Sequence, residues 1–214
     1  MKLYDYFRSS AAYRVRIALN LKGLDYQPIA VNLRDQDHHA PDYRRINAQQ
    51  LVPALVLDDG QVLTQSLAIC EYLDERHPKP PLLPVDAIGR ARVRALAQII
   101  ACEMHPLNNL RVLNYLTGPM GLDEDAKLSW YRHWIAQGFS SFEGMLVDQN
   151  TGAFCHGDTP TLADVCLVPQ VFNARRFDCD LAAYPTVLRI AEACDALAAF
   201  QKAHPSRQPD AVGS

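Results

Sequence analysis

Two serines, Ser9 and Ser10, stand where a strand-like apolar pattern gives way to a helical one. The start of a helix presents backbone N–H groups that have no intrahelical partner, together with the positive end of the helix dipole, so it favours a bound anion. A serine hydroxyl at this place can cap the helix, or it can donate a hydrogen bond to the anion. These residues alone leave both alternatives open.

The elements that would position the serines form a βαβ unit followed by a hairpin and a helix. Residue periodicity, glycines and the Asp-Gly turn signal define these elements. They are strand 2–7, helix 11–22, strand 26–31, a short helix near 43–46, strands 54–57 and 61–63, and helix 66–76. The order β-α-β-α-β-β-α predicts a mixed sheet with helices packed against it.

A proline-rich segment, residues 77–84, separates this part from the rest of the chain. Its four prolines prevent the segment from continuing either a helix or a central strand. Beyond it the periodicity is helical. The predicted helices cover residues 88–116, 123–146, 161–177 and 185–203, and Thr161 with Asp164 fits a capping box at the start of the third. The fold class is therefore α/β plus all-α.

Composition excludes several classes of protein. The 214 residues carry a net charge of −3, whereas a nucleic-acid-binding protein is expected to have a basic surplus. No apolar run approaches the roughly 18 to 20 residues that a membrane span needs. The N-terminus lacks the pattern of a secretory signal, so we expect a cytoplasmic protein.

The six cysteines of the chain are dispersed and include no Cys-x-x-Cys pair. This spacing suggests neither a structural zinc site nor a dithiol redox motif, and we expect no metal. Four of the cysteines have apolar neighbours at helical spacing and are predicted to be buried. They are Cys70, Cys102, Cys166 and Cys194.

Four local motifs, in this order and together with the two-part organisation, resemble the glutathione transferases. Ser9 to Leu19 resembles the signature of the zeta class, the maleylacetoacetate isomerase family. Gln50-Leu51-Val52-Pro53 resembles the segment of these enzymes that contains a cis-proline. The other two motifs are Gln65-Ser66 and Leu167 to Val171 with Arg175-Arg176-Phe177. The sequence departs from the zeta signature, Ser-Ser-Cys-x-Trp, because Ala11 replaces the cysteine and Tyr13 replaces the tryptophan.

The resemblance implies a glutathione transferase fold. Residues 1–80 would form a thioredoxin-like, glutathione-binding domain, and residues 86–214 an all-helical, substrate-binding domain. It also implies a homodimer and glutathione as cofactor. With Ala11 in place of the cysteine, glutathione itself must supply the thiol.

The activity that the resemblance implies is the cis–trans isomerisation of a small dicarboxylate, maleylacetoacetate, to fumarylacetoacetate in aromatic amino acid catabolism. A thiolate adds reversibly to the double bond, which permits rotation. The implied catalytic residues are Ser9, Ser10 and Arg8. The implied glutathione-binding residues are Ser9, His38, Gln50, Val52, Pro53, Gln65, Ser66, Glu103, His105 and Asn109. The implied substrate-binding residues are Arg8, Arg111 and Arg176.

Simpler interpretations stand beside these roles. Arg175 or Arg176 can form a surface ion pair with Asp178 or Asp180, and His38 can be an ordinary surface histidine. The polar groups near His105 can satisfy backbone atoms at a helix irregularity.

The function has alternatives too: a maleylpyruvate isomerase, a zeta-type transferase acting on small α-halo acids, or a non-catalytic glutathione-binding protein. Maleylpyruvate isomerases tend to carry two arginines after an Asn-Asn pair. Leu110 occupies one of those positions here, which favours maleylacetoacetate.

Overall fold

The computed structural model describes residues 1–211. Contacts divide them into two units. The first unit contains Met1–Leu82 together with residues 196–211, and the second contains Leu83–Asp195. The boundary after Leu82 lies within the proline-rich segment.

The first unit is built on a four-stranded mixed sheet of strand order β2-β1-β3-β4. The strands are β1 (Lys2–Asp5), β2 (Gln27–Ala30), β3 (Ala54–Val56) and β4 (Val62–Thr64). Strand β1 runs parallel to β2 and antiparallel to β3, and β3 is antiparallel to β4. Leu3 of β1 lies opposite Leu55 of β3, and both side chains are fully buried. This sheet confirms the predicted mixed sheet.

The helices alternate with these strands and then follow them without further strands. In chain order they are α1 (Ser10–Leu21), α2 (Pro41–Ile46), α3 (Ser66–Arg76), α4 (Ala87–Gln98), α5 (Leu110–Thr117), α6 (Glu124–Leu146), α7 (Leu162–Arg176), α8 (Pro185–Asp195) and α9 (Ala198–Ala203). Short 3₁₀ helices cover Asp37–His39 and Pro205–Arg207.

The second unit consists of helices α4 to α8. The single helix predicted for residues 88–116 is wrong, because α4 passes into a π-helical segment, Ile99–Met104, and a new helix, α5, begins at Leu110. Pro106 cannot donate a backbone hydrogen bond to continue the helix. Asn109 then caps α5 by accepting the N–H of Arg111 at 3.1 Å.

The predicted capping box at the start of α7 is present. The carboxylate of Asp164 accepts the backbone N–H of Thr161 at 2.7 Å and that of Cys155 at 2.8 Å. Burial raises the pKa of Asp164, and these hydrogen bonds oppose the rise. The carboxylate therefore joins the first turn of α7 to the loop before it.

The end of the chain departs from the expected arrangement. The single helix predicted for residues 185–203 breaks between α8 and α9. Helix α9 packs against α1, where the Asn20 side chain donates to Ala199 O at 2.9 Å and Arg16 Nε donates to Ala203 O at 3.0 Å. Residues 196–211 therefore group with the first unit, whereas the expected second domain extends to residue 214. Residues 212–214 lie outside the described residues.

Within residues 1–211, no helix is both long and apolar enough to cross a membrane. The same residues contain no group of three His, Cys, Asp or Glu side chains that could hold a metal ion. Three of the four cysteines predicted to be buried are buried, but Cys102 is exposed on the π-helical segment. The change from α- to π-helical winding alters which residues face the core, and residue periodicity does not reveal such a change.

Candidate active site

Ser9 is the N-cap of α1, as one of the two interpretations predicts. Its Oγ accepts a hydrogen bond from the N–H of Ala12 at 3.2 Å. This contact uses a lone pair of the oxygen, so the hydroxyl proton is still available to a ligand. Ser10 is buried in the first turn of α1. The structure therefore presents Ser9, rather than Ser10, at the half-exposed start of α1.

The turn between β1 and α1, residues 6–9, is held by hydrogen bonds from several elements. The N–H of Ser9 donates to Tyr6 O at 2.8 Å. Arg16 Nη2 donates to Phe7 O at 3.0 Å, and the N–H of Phe7 donates to an Asp210 carboxylate oxygen at 2.9 Å. These bonds fix the backbone that carries Ser9.

Arg16 is itself completely buried and paired. Its Nη1 lies 2.7 Å from both carboxylate oxygens of Asp5, and its Nε contacts Ala203 O. Burial raises the pKa of Asp5, while Arg16 opposes the rise. The pair joins the end of β1 to α1 and α9. On the same turn, the guanidinium of Arg8 lies over the Phe7 ring, 4.9 Å from its centre.

The second candidate segment lies before β3, where the Val52–Pro53 peptide bond is cis, as expected. The carbonyl of Leu51 accepts two hydrogen bonds, from Tyr43 Oη at 2.6 Å and from Asn47 Nδ2 at 2.7 Å. Burial raises the pKa of Tyr43 to about 12, so the phenol keeps its proton and donates. These two side chains fix the backbone immediately before Val52.

The third candidate segment is the start of α3. Gln65, at its N-cap, has a φ of +67°, a conformation that costs energy for a residue with a side chain, and its Nε2 donates to Gln49 Oε1 at 2.9 Å. Ser66 is buried, and its Oγ accepts a hydrogen bond from Arg14 Nη1 at 3.2 Å.

Arg14 is the least expected component of this segment. Only 2% of the residue is exposed, and its Nε and Nη2 have no hydrogen-bond partner among residues 1–211. A buried cation without a counter-ion is unfavourable, and here it lies beside the positive end of a helix. This arrangement fits a bound anion such as the γ-glutamyl carboxylate of glutathione.

The fourth candidate segment contains His38 and Gln50. Gln50 Oε1 lies 2.6 Å from Nδ1 of the neighbouring His39, and the rings of His38 and His39 lie 3.9 Å apart. Burial lowers the pKa of His38; the nearby His39 adds to this effect, and Asp37 opposes it. His38 Nδ1 is buried and has no hydrogen-bond partner within the described part of the chain.

An apolar cluster connects two of these segments. It consists of Tyr6, Phe7, Val31, Tyr43 and Val52. The Ser9 turn and the Val52 backbone therefore share one packed support, while Arg14 joins the same helix α1 to Ser66.

The remaining sequence-predicted residues belong to the second unit. Glu103 is exposed on the π-helical segment, His105 follows that segment and is partly buried, and Asn109 caps α5. Arg111 is exposed in the first turn of α5.

Arg176 lies at the end of α7. Its Nη1 donates to Asn173 Oδ1 at 3.1 Å, and its guanidinium lies over the Phe177 ring, 5.5 Å from the centre. The adjacent Arg175 forms a surface ion pair at 3.9 Å, with Asp195 and not with the Asp178 or Asp180 considered from the sequence.

Sequence reasoning missed the supporting residues Arg14, Tyr43, Asn47 and Asp210. A signal existed for Arg14: most positions of α1 are apolar, which predicts a helix buried on most of its surface, so a charged residue in its middle is expected to be buried as well. The other three bond to backbone atoms, and a sequence does not show where those atoms will lie.

Comparisons with known proteins agree with this geometry. The family model "Glutathione S-transferase, N-terminal domain" matches residues 8–76. A maleylpyruvate isomerase from a Ralstonia species is 52% identical over 99% of this chain and 100% of its own length. A solved holo structure of maleylpyruvate isomerase, described as a bacterial glutathione S-transferase of the zeta class, is 51% identical with a TM-score of 0.97, covering 99% of this chain and 100% of that chain.

A maleylacetoacetate isomerase from Methylobacterium extorquens, solved with bound malonate and glutathione, is 46% identical with a TM-score of 0.96 over the whole length of both chains. The chain belongs to the glutathione transferase family, in the zeta-class group of maleylacetoacetate and maleylpyruvate isomerases. The family resemblance and the fold class predicted from the sequence are confirmed.

Proposed function

We propose that this protein is a glutathione-dependent cis–trans isomerase that converts maleylacetoacetate to fumarylacetoacetate. The observation that carries the proposal is the geometry of Ser9: its oxygen caps α1, and its proton is available at the positive end of a twelve-residue helix. The relatives described above, which carry the names of two such isomerases, support the same activity.

This helix start supplies enough free energy to ionise a thiol. A cysteine thiol has a pKa of about 8.5, and lowering it by about two units takes roughly 2.7 kcal/mol. A helix N-terminus contributes about 0.3 to 2 kcal/mol, and a hydrogen bond to a charged group contributes about 1.5 to 3 kcal/mol. Ser9 and the dipole of α1 together are sufficient without a metal or a further base.

Glutathione, when bound, supplies the thiolate that adds to the double bond of the substrate and leaves again after rotation. The Ser9 hydroxyl keeps its proton and donates a hydrogen bond to that sulfur. The backbone of Val52, next to Pro53, pairs with the cysteinyl amide as an added strand would. Gln65 and Ser66, supported by Arg14, hold the γ-glutamyl carboxylate.

The opposite end of the tripeptide carries the glycine carboxylate, which we assign to His38 and Gln50. The buried, unpartnered Nδ1 of His38 and the fixed side chain of Gln50 support this assignment. Glu103, His105 and Asn109 complete the proposed set of glutathione-binding residues.

The substrate has two carboxylates, for which arginine forks are better suited than lysine ammonium groups. The proposed binding residues are Arg8, Arg111 and Arg176. The contacts of Arg176 with Asn173 and Phe177 support its assignment, because they hold the guanidinium in one orientation. The guanidinium of Arg8, beside the sulfur site, would also stabilise the negative charge that forms on the substrate carbonyl.

Maleylpyruvate is the second candidate substrate, since the Ralstonia relative carries that activity in its name. Leu110, which is exposed in the first turn of α5, stands where maleylpyruvate isomerases tend to carry one of two arginines. This position therefore has one positive charge fewer, which favours the longer maleylacetoacetate. The two substrates therefore have to be compared directly.

The deciding experiment gives purified protein each synthetic substrate, with and without glutathione, and follows the absorbance of the enediacid. We expect turnover only with glutathione and a higher kcat/KM for maleylacetoacetate. Turnover without glutathione would contradict the mechanism, and a higher kcat/KM for maleylpyruvate would establish the second candidate. A small α-halo acid, assayed for halide release, tests the transferase alternative, and binding without any turnover would indicate a non-catalytic protein.

The same proposal includes a cytoplasmic homodimer. The six free cysteines are consistent with a reducing compartment. Val85, just before α4, and Ile88, in its first turn, are apolar yet 98% and 82% exposed, and a second copy of the chain would cover such side chains. Light scattering of the purified protein tests the dimer, and a monomeric mass would contradict it.

A further inference from the structure

The C-terminal segment, residues 205–211, is polar but folds in a defined way. It begins with the 3₁₀ helix Pro205–Arg207. The buried side chain of Gln208 then donates from Nε2 to Lys202 O at 3.0 Å and to His204 O at 2.9 Å. These bonds anchor the segment to the end of α9.

The segment reaches the turn that carries Ser9, although 203 positions separate the two bonded residues in the sequence. Asp210 Oδ2 accepts the backbone N–H of Phe7 at 2.9 Å. Ala211 packs against the apolar cluster that contains Phe7 and Val52. The end of the chain therefore contacts the support shared by the Ser9 turn and the Val52 backbone.

The hydrogen bond that Phe7 donates to Asp210 completes the pairing of the two backbone polar groups of Phe7. Phe7 lies after the end of β1 and before the start of α1, so neither element provides a partner for its N–H. Its carbonyl is held by Arg16 Nη2 and its N–H by Asp210. Buried backbone groups are almost always paired, so loss of the carboxylate would force the turn to rearrange or to admit water.

We propose that Asp210 is a positioning residue for the reacting sulfur: by holding Phe7 it aligns the Ser9 hydroxyl with the thiolate of glutathione. This inference rests on the proposed function. The strength of a hydrogen bond falls steeply as its distance and angle depart from the optimum, so a small displacement of Ser9 reduces the stabilisation of the thiolate.

A purely electrostatic effect of Asp210 would have the opposite sign. A carboxylate near a thiolate disfavours the ionised sulfur, so removing its charge would lower the pKa of the bound thiol. Positioning predicts that removing the acceptor raises this pKa. Asp5, Arg16 and Arg8 are the other charged groups at the turn, and the substitutions below leave them unchanged.

The test compares three variants, Asp210→Ala, Asp210→Asn and Asp210→Glu, with the wild type. The pKa of the bound glutathione thiol is read from the ultraviolet absorbance of the thiolate as the pH is raised. We expect Asp210→Ala to raise it by about one unit and to lower kcat about tenfold at neutral pH. Asp210→Asn keeps an acceptor oxygen and stays near the wild type, whereas Asp210→Glu keeps the charge but displaces the acceptor and gives an intermediate rise.

Two further measurements separate positioning from general destabilisation. Hydrogen exchange of the Phe7 amide should become faster in Asp210→Ala, which reports the loss of the bond itself. Binding of S-methylglutathione, which has no ionisable thiol, should be unchanged. Asp59→Ala is the matched control, because Asp59 also accepts a backbone N–H, that of Gln61 at 3.0 Å, but in the β3–β4 hairpin.

An unchanged or lowered thiol pKa in both Asp210→Ala and Asp210→Glu would overturn the inference, even if the variants were less stable. Should Asp210→Ala fail to fold, Asp210→Glu alone decides the question. Failure of the wild type to bind glutathione would overturn the proposed function together with the inference. Normal wild-type binding with unaffected variants would overturn the inference only.

Discussion

Arg14 donates a hydrogen bond from Nη1 to Oγ of Ser66 across 3.2 Å, and this contact joins α1 to the first residue of α3. The remaining guanidinium nitrogens, Nε and Nη2, are buried without a hydrogen-bond partner in the part of the chain that the structure describes. A cation buried in this way has lost its hydration and gained little in return. A carboxylate bound at the start of α3 would supply the missing counter-charge.

Arg14→Met should therefore weaken glutathione binding without destabilising the free protein. We expect an affinity loss of about 10- to 100-fold, roughly 1.4 to 2.8 kcal/mol, and an unchanged or increased free energy of unfolding. Titration calorimetry and urea denaturation measure the two quantities.

Arg16→Met is the matched control for this substitution. Arg16 is equally buried on the same helix but is paired with Asp5, so its loss should cost about 3 to 5 kcal/mol of stability. Wild-type affinity for glutathione in Arg14→Met would exclude Arg14 from the carboxylate site.

Ser9→Ala should affect both stability and turnover, because Ser9 is an N-cap with a free hydroxyl proton. Loss of the cap costs about 1 kcal/mol, measured by denaturation. Loss of the proton donor should lower kcat about 100-fold, which corresponds to roughly 2.7 kcal/mol. Ser9→Thr keeps both functions of the hydroxyl, and Cys70→Ala should leave turnover unchanged. A Ser9→Ala enzyme with wild-type kcat would show that another group stabilises the thiolate.

Arg176→Lys should raise KM for the dicarboxylate about tenfold, because an ammonium cannot reproduce the two parallel hydrogen bonds of a guanidinium. Steady-state kinetics measure the change. The neighbouring Arg175 provides the control, since it is paired with Asp195 at the surface and Arg175→Lys should leave KM unchanged. Equal KM values for the two variants would remove Arg176 from the substrate site.

His38 should titrate below the ordinary histidine pKa of 6.5, because burial and the nearby His39 disfavour its charged form. As the pH falls below 6.5, the unfolded chain takes up this proton before the folded protein does. His38 therefore reduces stability as the pH falls, over the window between 6.5 and its lower folded pKa.

His39→Gln removes one cause of this shift, so the pKa of His38 should move back towards 6.5. Nuclear magnetic resonance titration of the ring protons measures both values. Bound glutathione should alter the His38 titration if the glycine carboxylate lies beside it. An unaltered titration in the bound protein would contradict that assignment.

Several local features follow from short-range sequence patterns. The start of α1 at Ser9, the β3–β4 hairpin and the α7 capping box each depend on residues within a few positions of one another. The start of α3 at Ser66 is local as well. The cis bond before Pro53 required the family resemblance, since the sequence alone does not set the isomer of that bond.

Other predictions failed where tertiary packing overrode a local pattern. The strand predicted for residues 2–7 ends at Asp5, because Tyr6 and Phe7 turn into an apolar cluster with Tyr43 and Val52. The predicted helix 88–116 contains a π-helical segment and a break, and neither has a distinct hydrophobic period in the sequence.

The sequence by itself determined the order of the elements, the caps that begin the helices and the family of the chain. Only the tertiary structure decided which groups support the site: Arg14 behind Ser66, Tyr43 and Asn47 on the Leu51 carbonyl, and Asp210 on the N–H of Phe7. Periodicity and capping describe neighbours along the chain, whereas these bonds join residues that become neighbours only when the chain folds. The partner of a buried charged residue can therefore be identified only in the folded structure, where burial has replaced its water with protein groups.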